Sequence, residues 1–390
     1  MRRIYLDHAA TTPLAPEVLA EMKPHLTEHY GNASSVHQLG RQARVTVEEA
    51  RERVADGLGA ASSEIVFTSG GTESDNLALK GVLAAKSRKG APAGLVTSAA
   101  EHEAVLRPAE RLQEEGHPVT ILSPGEHGAV TPDQVAAAID DRTALVSLMH
   151  ANNEIGVCTD IAGVAEVCHE NDVLLHCDAV QTAGLFNIDV DDLGVDLLSL
   201  SGHKFYGPKG VGALFVRGGV DLGPLVEGGS QERERRGGTE NVPGVVGLAA
   251  ALERAGAAAE KRRARLARLQ RRLVEGLADA VPCAYRLNTP IDAAPVAPHI
   301  VNVAFPPTGS EPIDGEMLIL NLDMEGVLVS AGSACTSGAL EPSHVLTALG
   351  LERETASAAV RFSLGADTTD EDIDYALEKL RETLNRMVGS

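Results

Sequence analysis

Residues 64–81 read EIVFTSGGTESDNLALKG. Ile65, Val66 and Phe67 form a β-branched and aromatic run of strand length. Gly70 and Gly71 end it, and 72–89 then carries helical spacing. The stretch therefore predicts one strand–turn–helix unit. Paired glycines let backbone approach a bound group, and a helix N-terminus offers unpaired N–H groups to a phosphate. Taken alone, Gly-Gly-Thr before a helix is equally an ordinary turn with an N-cap.

The same unit recurs outward from this point. Strands are predicted at 94–98, 118–122, 144–149, 173–177, 196–201 and 211–216, with helices at 35–60 and 103–115. Thr131-Pro132-Asp133-Gln134 is a further helix start, with Thr as N-cap, Pro at the first position and Gln reaching back. Alternating strands and helices predict an α/β fold with a mostly parallel sheet covered on both faces. The rhythm changes near 242–280, where 249–280 reads as one long helix rich in Ala and Arg. Strands around 300–305, 326–330 and 358–364, with helices at 311–322, 342–349 and 369–387, then predict a smaller α+β C-terminal domain. We divide the chain into a large domain, 15–250, and a small one formed by 1–14 and 251–390. The stretch 261–272 holds seven basic residues. It reads as a solvated helix face, with a docking patch for an acidic partner as the sharper alternative.

Composition narrows the function. The 390-residue chain has a net charge of −21, which argues against stable binding to nucleic acid. It has no Trp and only 3% aromatic residues, so base-stacking platforms are not expected. No apolar run reaches the roughly 18 residues of a membrane helix. Five cysteines without a C-x-x-C pair suggest free thiols in a reducing compartment, and a cytoplasmic protein is expected. His169, His176, Cys168 and Cys177 cluster in sequence but lack zinc-finger spacing, so no permanent metal is expected.

Five segments carry candidate chemistry. SGHKFYGPKG, 201–210, follows a predicted strand and so sits at a carboxyl end, where open α/β sheets bind ligands. Lys204 there could form a Schiff base, or could be a solvated loop lysine; Ser201 and His203 could hold a phosphate. HCDAVQ, 176–181, also ends a strand and supplies Asp178. A Lys and an Asp at neighbouring strand ends suit pyridoxal phosphate: one carries the aldehyde carbon, the other keeps the pyridine nitrogen protonated. His102 could stack on a planar ring or shuttle a proton. Arg361, inside the strand-like AAVRFSLG, could clamp a carboxylate. Finally, Cys335 lies in VSAGSACTSGALEPSHV, 329–345, a run with little to bury that reads as a mobile loop. It is a candidate nucleophile. Cys158, Cys168, Cys177 and Cys283 lie in or beside apolar patterns and read as core thiols.

With these residues assembled, the chain resembles the cysteine desulfurases of the NifS/IscS type, in the class V aminotransferase family with pyridoxal-phosphate fold type I. The resemblance runs from YLDHAATTP (5–13) and GNASSVH (31–37) through FTSGGTESDN, HANNEIG (150–156), SGHKFYGPKG and RRGGTEN (235–241) to GSACTSGALEPSHVL and RFSLG (361–365). It implies that Lys204 is the Schiff-base lysine, that Asp178 pairs with the pyridine nitrogen and that Gln181 bonds the ring oxygen. His102 would stack on the ring and assist proton transfer. Gly71, Thr72, Ser201 and His203 would bind the phosphate, with Thr239 reaching it from a partner subunit in a homodimer. Asn153 and Arg361 would hold the substrate carboxylate.

Cys335, on a mobile loop of about 330–342, would accept sulfur from L-cysteine as a persulfide, leave L-alanine, and pass the sulfur to an acceptor such as an iron–sulfur scaffold protein. Thiolated tRNA and DNA-modification pathways remain open as destinations, as does transient ligation of a cluster by Cys335. The chain departs from the family pattern at Gly228-Gly229-Ser230 and at Gly237, where a Ser is frequent. A selenocysteine lyase, another class V aminotransferase and a non-catalytic assembly partner are the alternatives.

Overall fold

A computed structural model describes residues 2–87, 92–307, 312–331 and 342–388. Its centre is a seven-stranded sheet. From edge to edge the strands are Ile65–Thr68, Gly212–Val216, Leu197–Ser201, Leu174–Asp178, Thr143–Met149, Gly94–Ser98 and Val119–Leu122. All run parallel except Gly212–Val216, which is antiparallel to both neighbours. The reversal follows from chain length. Only residues 202–211 join Ser201 to Gly212, fewer than the dozen or so that a parallel crossover needs.

Helices cover both faces, as the strand–helix alternation predicts. Gly71–Ser87 and Glu103–Glu114 pack on one face around Leu77, Leu79, Leu83, Val105 and Leu145. Gln38–Asp56, Ile161–Glu170 and Val242–Ala257 cover the other, over Val54, Leu175, Leu198 and Phe215. Almost every residue of the central strands is buried, so these strands read as continuous apolar runs rather than alternating ones.

The single long helix expected at 249–280 is instead two, Val242–Ala257 and Ala259–Ala280, bent by 69°. Ala258 leaves helical geometry at φ −109, ψ 1. An Ala-rich sequence carries no strong breaker here, so packing decides. The first helix buries Val245, Leu248 and Leu252 against the large sheet. The second buries Leu266, Leu269, Leu273 and Leu277 in a separate core with Ile4, Leu6, Val301, Phe362 and Leu380. One straight rod cannot present both faces. That second core lies on an antiparallel sheet of Ala359–Ser363, Ile300–Ala304 and the short strand Arg286–Leu287, which sequence reading missed. Ile4–Tyr5 pairs in parallel with Val327–Leu328. No single helix among the described residues is long and apolar enough to cross a membrane.

The basic stretch at 261–272 is a largely exposed helix face, as read, and several of its charges are paired within the chain, which argues against the docking patch. Arg268 pairs with Asp370, Arg272 with Asp374 at 2.7 Å and Arg271 with Asp292 at 2.9 Å. Arg265 donates to the carbonyls of Thr368 and Gly365, and Arg262 to Gly184 O at 2.8 Å. The exposed pairs contribute little each, but together they align the helix with Asp370–Val388.

A buried ion pair fixes the segment before Thr239. Arg51 holds Glu232 in two bonds of 2.6 and 2.8 Å, and Glu232 Oε2 also accepts from Phe67 N at 2.9 Å. Both side chains are about 4% exposed. Glu232, Arg233 and Glu234 all adopt left-handed φ, a strain that this anchor offsets. Glu232→Ala is expected to destabilise the fold by about 3–5 kcal/mol, because it strands a buried guanidinium. Denaturant unfolding checks it, and a loss below about 1 kcal/mol would mean that water reaches Arg51.

Candidate active site

Five parallel strands deliver their carboxyl ends to one edge of the sheet. Thr68 leads into Gly71 and Thr72, Ser98 into His102, and Met149 into Asn153. Asp178 is the last residue of its strand, and Ser201 leads into His203 and Lys204. Of these, Gly71, Thr72, His102, Met149, Asn153, Asp178, Ser201, His203 and Lys204 line one cavity of about 410 Å³, together with Gln181 and Arg361. Arg361 enters from the smaller sheet, where it stands opposite Asn302. Thr239 is exposed and does not line the cavity. Cys335 lies outside the described residues.

Lys204 is buried. Its amine donates to Ala9 O and, at 3.0 Å, to Ala10 O, both from the DHAAT segment near the N-terminus. Burial pushes its pKa down to about 8, and the positive charge of Arg361 adds to this against Asp178 and Asp7. Asp178 is also buried. Its Oδ1 accepts from Val180 N at 2.9 Å. Desolvation raises its pKa, opposed by that bond and by the positive fields of His102 and Lys204.

His102 caps the helix Glu103–Glu114, its Nδ1 accepting from Ala104 N at 3.0 Å. The neutral ring therefore carries its proton on Nε2, and burial lowers its pKa. His203 Nδ1 pairs with Thr11 Oγ1 at 3.0 Å, and burial pushes its pKa down to about 4. Arg361 donates to Asp7 Oδ1 at 2.9 Å and to Asn153 O at 2.8 Å. It is thus both a paired structural arginine and part of the cavity wall.

Several lining residues escaped sequence reading: Asp7, Ala9, Asp75, Glu154 and His344. Asp75 sits on the buried face of Gly71–Ser87, where burial and the nearby Asp178 raise its pKa well above the usual carboxylate range. A buried polar residue at a helix core position was the available signal. Ser343 donates to the buried Glu154, and His344 Nε2 donates to Glu101 O at 2.8 Å. The thiols of Cys158, Cys168, Cys177 and Cys283 all have raised pKa values through burial, those of Cys158 and Cys168 to about 12. No group of three or more His, Cys, Asp or Glu among the described residues is arranged to hold a metal ion.

These residues fit pyridoxal phosphate. Among the described residues Asp178 makes its side-chain bond through Oδ1, leaving its second oxygen for a ring N–H. A Cβ on Gly71 would meet Val180 at 2.7 Å, so glycine keeps open the cradle at the N-terminal end of a 17-residue helix. Ser201 and His203 line the same end of the cavity wall, and Lys204 offers an amine of lowered basicity. A parallel sheet with a lysine, an acid and a phosphate cradle at its carboxyl edge defines a pyridoxal-phosphate enzyme.

The family model for aminotransferase class-V matches residues 4–376, and the chain belongs to that family. It is 47% identical to "Cysteine desulfurase IscS" of Dictyoglomus turgidum, over 99% of this chain and 95% of that protein. Among solved structures, a "NIFS-LIKE PROTEIN" superposes with a TM-score of 0.90 at 37% identity, covering 99% of this chain and all of the other. "SspA in complex with cysteine" superposes with a TM-score of 0.80 at 38% identity, over 93% of this chain and 99% of that one.

The departure at Gly237 has a structural reason. A Cβ there would meet Gly228 Cα and N at 2.8 Å, so two backbones touch where a serine side chain would collide.

Uptake of pyridoxal phosphate by the cofactor-free chain is expected to quicken as pH rises towards about 8 and then level off, because only the neutral Lys204 amine condenses with an aldehyde. Stopped-flow absorbance follows it. A rate still climbing near the ordinary lysine value of 10.5 would contradict the lowered basicity.

Proposed function

We propose that the chain is a pyridoxal-phosphate-dependent cysteine desulfurase that converts L-cysteine to L-alanine and carries the released sulfur as a persulfide on Cys335. The observation that carries this reading is the convergence of Lys204, Asp178, His102 and Arg361 on one cavity. Full-length similarity to cysteine desulfurases supports it, as does the likeness to a structure holding cysteine. The reaction balances: the Cβ–S bond of cysteine breaks, Cβ gains hydrogen, and the two sulfurs are oxidised to a persulfide.

When bound, the cofactor supplies an electron sink for charge developing on the substrate carbons. Lys204 anchors the group and, once displaced by substrate, takes the α-proton. Asp178 holds the proton on the ring nitrogen. Gly71, Thr72, Ser201 and His203 hold the phosphate, and Gln181 donates to the ring oxygen. His102 presents Nε2–H to the reacting carbons. Arg361 and Asn153 hold the substrate carboxylate. Thr239, exposed on a segment clamped by Arg51 and Glu232, completes the phosphate site of a second copy in a homodimer. The persulfide passes to an acceptor protein such as an iron–sulfur scaffold.

The test is an assay of sulfide and alanine from L-cysteine with a thiol reductant. Equal yields are expected, together with loss of sulfide release in Cys335→Ala while the cofactor's visible band persists. Alanine without sulfide, or wild-type rates in that variant, would overturn the assignment. Arg361→Ala is expected to raise KM for L-cysteine about tenfold to a hundredfold, the value of a charge-assisted bond to a carboxylate. An unchanged KM would leave Arg361 with only its structural pairing to Asp7.

A further inference from the structure

Two donors converge beside the reactive amine. Ala9 O accepts from Lys204 Nζ and, at 3.0 Å, from Gln181 Nε2. The second bond fixes which way the Gln181 amide lies. Turned over, its carbonyl oxygen would face Ala9 O, an acceptor against an acceptor. Gln181 Oε1 therefore points the other way, where it lies 3.3 Å from His299 Nε2. Since Oε1 can only accept, His299 carries its ring proton on Nε2.

His299 is 8% exposed. Its pKa is pushed down to about 3 by burial, with the positive fields of Arg361, His8 and Lys204 around it adding to the effect. It is thus a neutral donor throughout the working range. Its other nitrogen, Nδ1, is buried without a partner among the described residues. An orphaned buried polar atom costs stability, and an apolar side chain would fill the site without that cost. What the imidazole adds is the bond to Gln181. Its place is set by the smaller sheet: His299 precedes the strand Ile300–Ala304, and its carbonyl accepts from Leu364 N at 2.7 Å.

We propose that His299 is a positioning residue of the cofactor site: its Nε2–H locks the Gln181 amide so that one N–H serves Ala9 O and the other is kept for the ring oxygen of pyridoxal phosphate. The proposal rests on the cofactor reading above. It makes the C-terminal sheet a part of the cofactor site through His299, as it is of the substrate wall through Arg361.

The test compares His299→Phe, which has no donor, with His299→Asn, which keeps an N–H. Two quantities are read: the dissociation constant of pyridoxal phosphate, and the pH midpoint of the holoenzyme's visible band. A donor to the ring oxygen favours its negatively charged form, so losing order in Gln181 raises that midpoint. His299→Phe is expected to weaken cofactor binding about tenfold and raise the midpoint by about one pH unit. His299→Asn is expected to restore both to within about twofold of wild type. Thermal unfolding of each variant reports the fold, and His299→Leu replaces the Phe variant if that one does not fold. Donorless variants with wild-type midpoint and affinity, or an Asn variant as impaired as they are, would overturn the proposal. A wild-type chain that binds no pyridoxal phosphate would overturn the cofactor reading as well, which separates the two failures.

Discussion

Lys204→Ala is expected to lower turnover of L-cysteine by about 10⁴-fold or more, the largest effect of any single change in the chain. In the proposed mechanism the side chain serves twice, as the covalent anchor of the cofactor and as the carrier of the α-proton. None of the other described residues lining the cavity offers a primary amine; the remaining bases among them are imidazoles and carboxylates. Burial already lowers the pKa of the amine to about 8, with Arg361 contributing, so part of the activation is built into the cofactor-free chain. The amine donates to two backbone carbonyls, and the buried Asp178, which loses one compensating field, keeps its bond from Val180 N and the field of His102, so the fold should persist. Far-UV circular dichroism and thermal unfolding check that, and single-turnover kinetics measure the loss. Added methylamine is expected to restore a small part of the rate. A variant within about tenfold of wild type would remove Lys204 from the mechanism altogether.

Asp178→Ala is expected to lower kcat by about 10²–10³-fold while leaving the link between Lys204 and the cofactor able to form. In the proposed mechanism the carboxylate stabilises charge that develops only as the α-proton leaves, so its absence would be felt in kcat more than in KM. The same substitution has an opposite effect on the empty protein. Burial raises the pKa of Asp178 above 3.8 in the folded chain. For a carboxyl shifted that way, the native state binds the proton more tightly than the unfolded one. Above the unfolded value the ionised group therefore opposes folding, and it does so fully once pH exceeds the folded value.

The neighbouring Asp75 and Glu101 are buried with it and add like-charge crowding. Cofactor-free Asp178→Ala should consequently unfold at the same temperature as wild type or higher at neutral pH. With cofactor bound the order reverses, since the ring cation neutralises Asp178 in wild type only. Differential scanning calorimetry of both forms gives the comparison. A cofactor-free variant clearly less stable than wild type would show that the bond from Val180 N outweighs the desolvation of the carboxylate.

How much of this was legible beforehand varies by element. The strands of the large sheet were readable because each is a short, nearly continuous apolar run bounded by turn residues, and burial on both faces leaves that pattern intact. Local chemistry marked the Thr131 cap, whose side chain and Gln134 make the reciprocal bonds expected of them. By contrast, the break at Ala258 was only weakly marked, by Gly256 two residues before it, and the two separate cores decide where the chain turns. The strand Arg286–Leu287 is two residues long, too short to carry a period. Asp7 and Glu154 left no signal either: a carboxylate has one letter whether it faces water or a cavity.

What the sequence determined by itself is the alternation that makes an α/β sheet, and the placing of Lys204, Asp178, His102 and Ser201 at or just beyond strand ends. Both are local properties, written in spacing and side-chain type. What only the tertiary structure decided is which strand ends meet, that Arg361 reaches the cavity from a second sheet, and that His299 reaches Gln181 from it. The contacts of Arg361 with Asn153 and of His299 with Gln181 join residues more than a hundred positions apart, and they exist only once burial of two cores has fixed one sheet against the other.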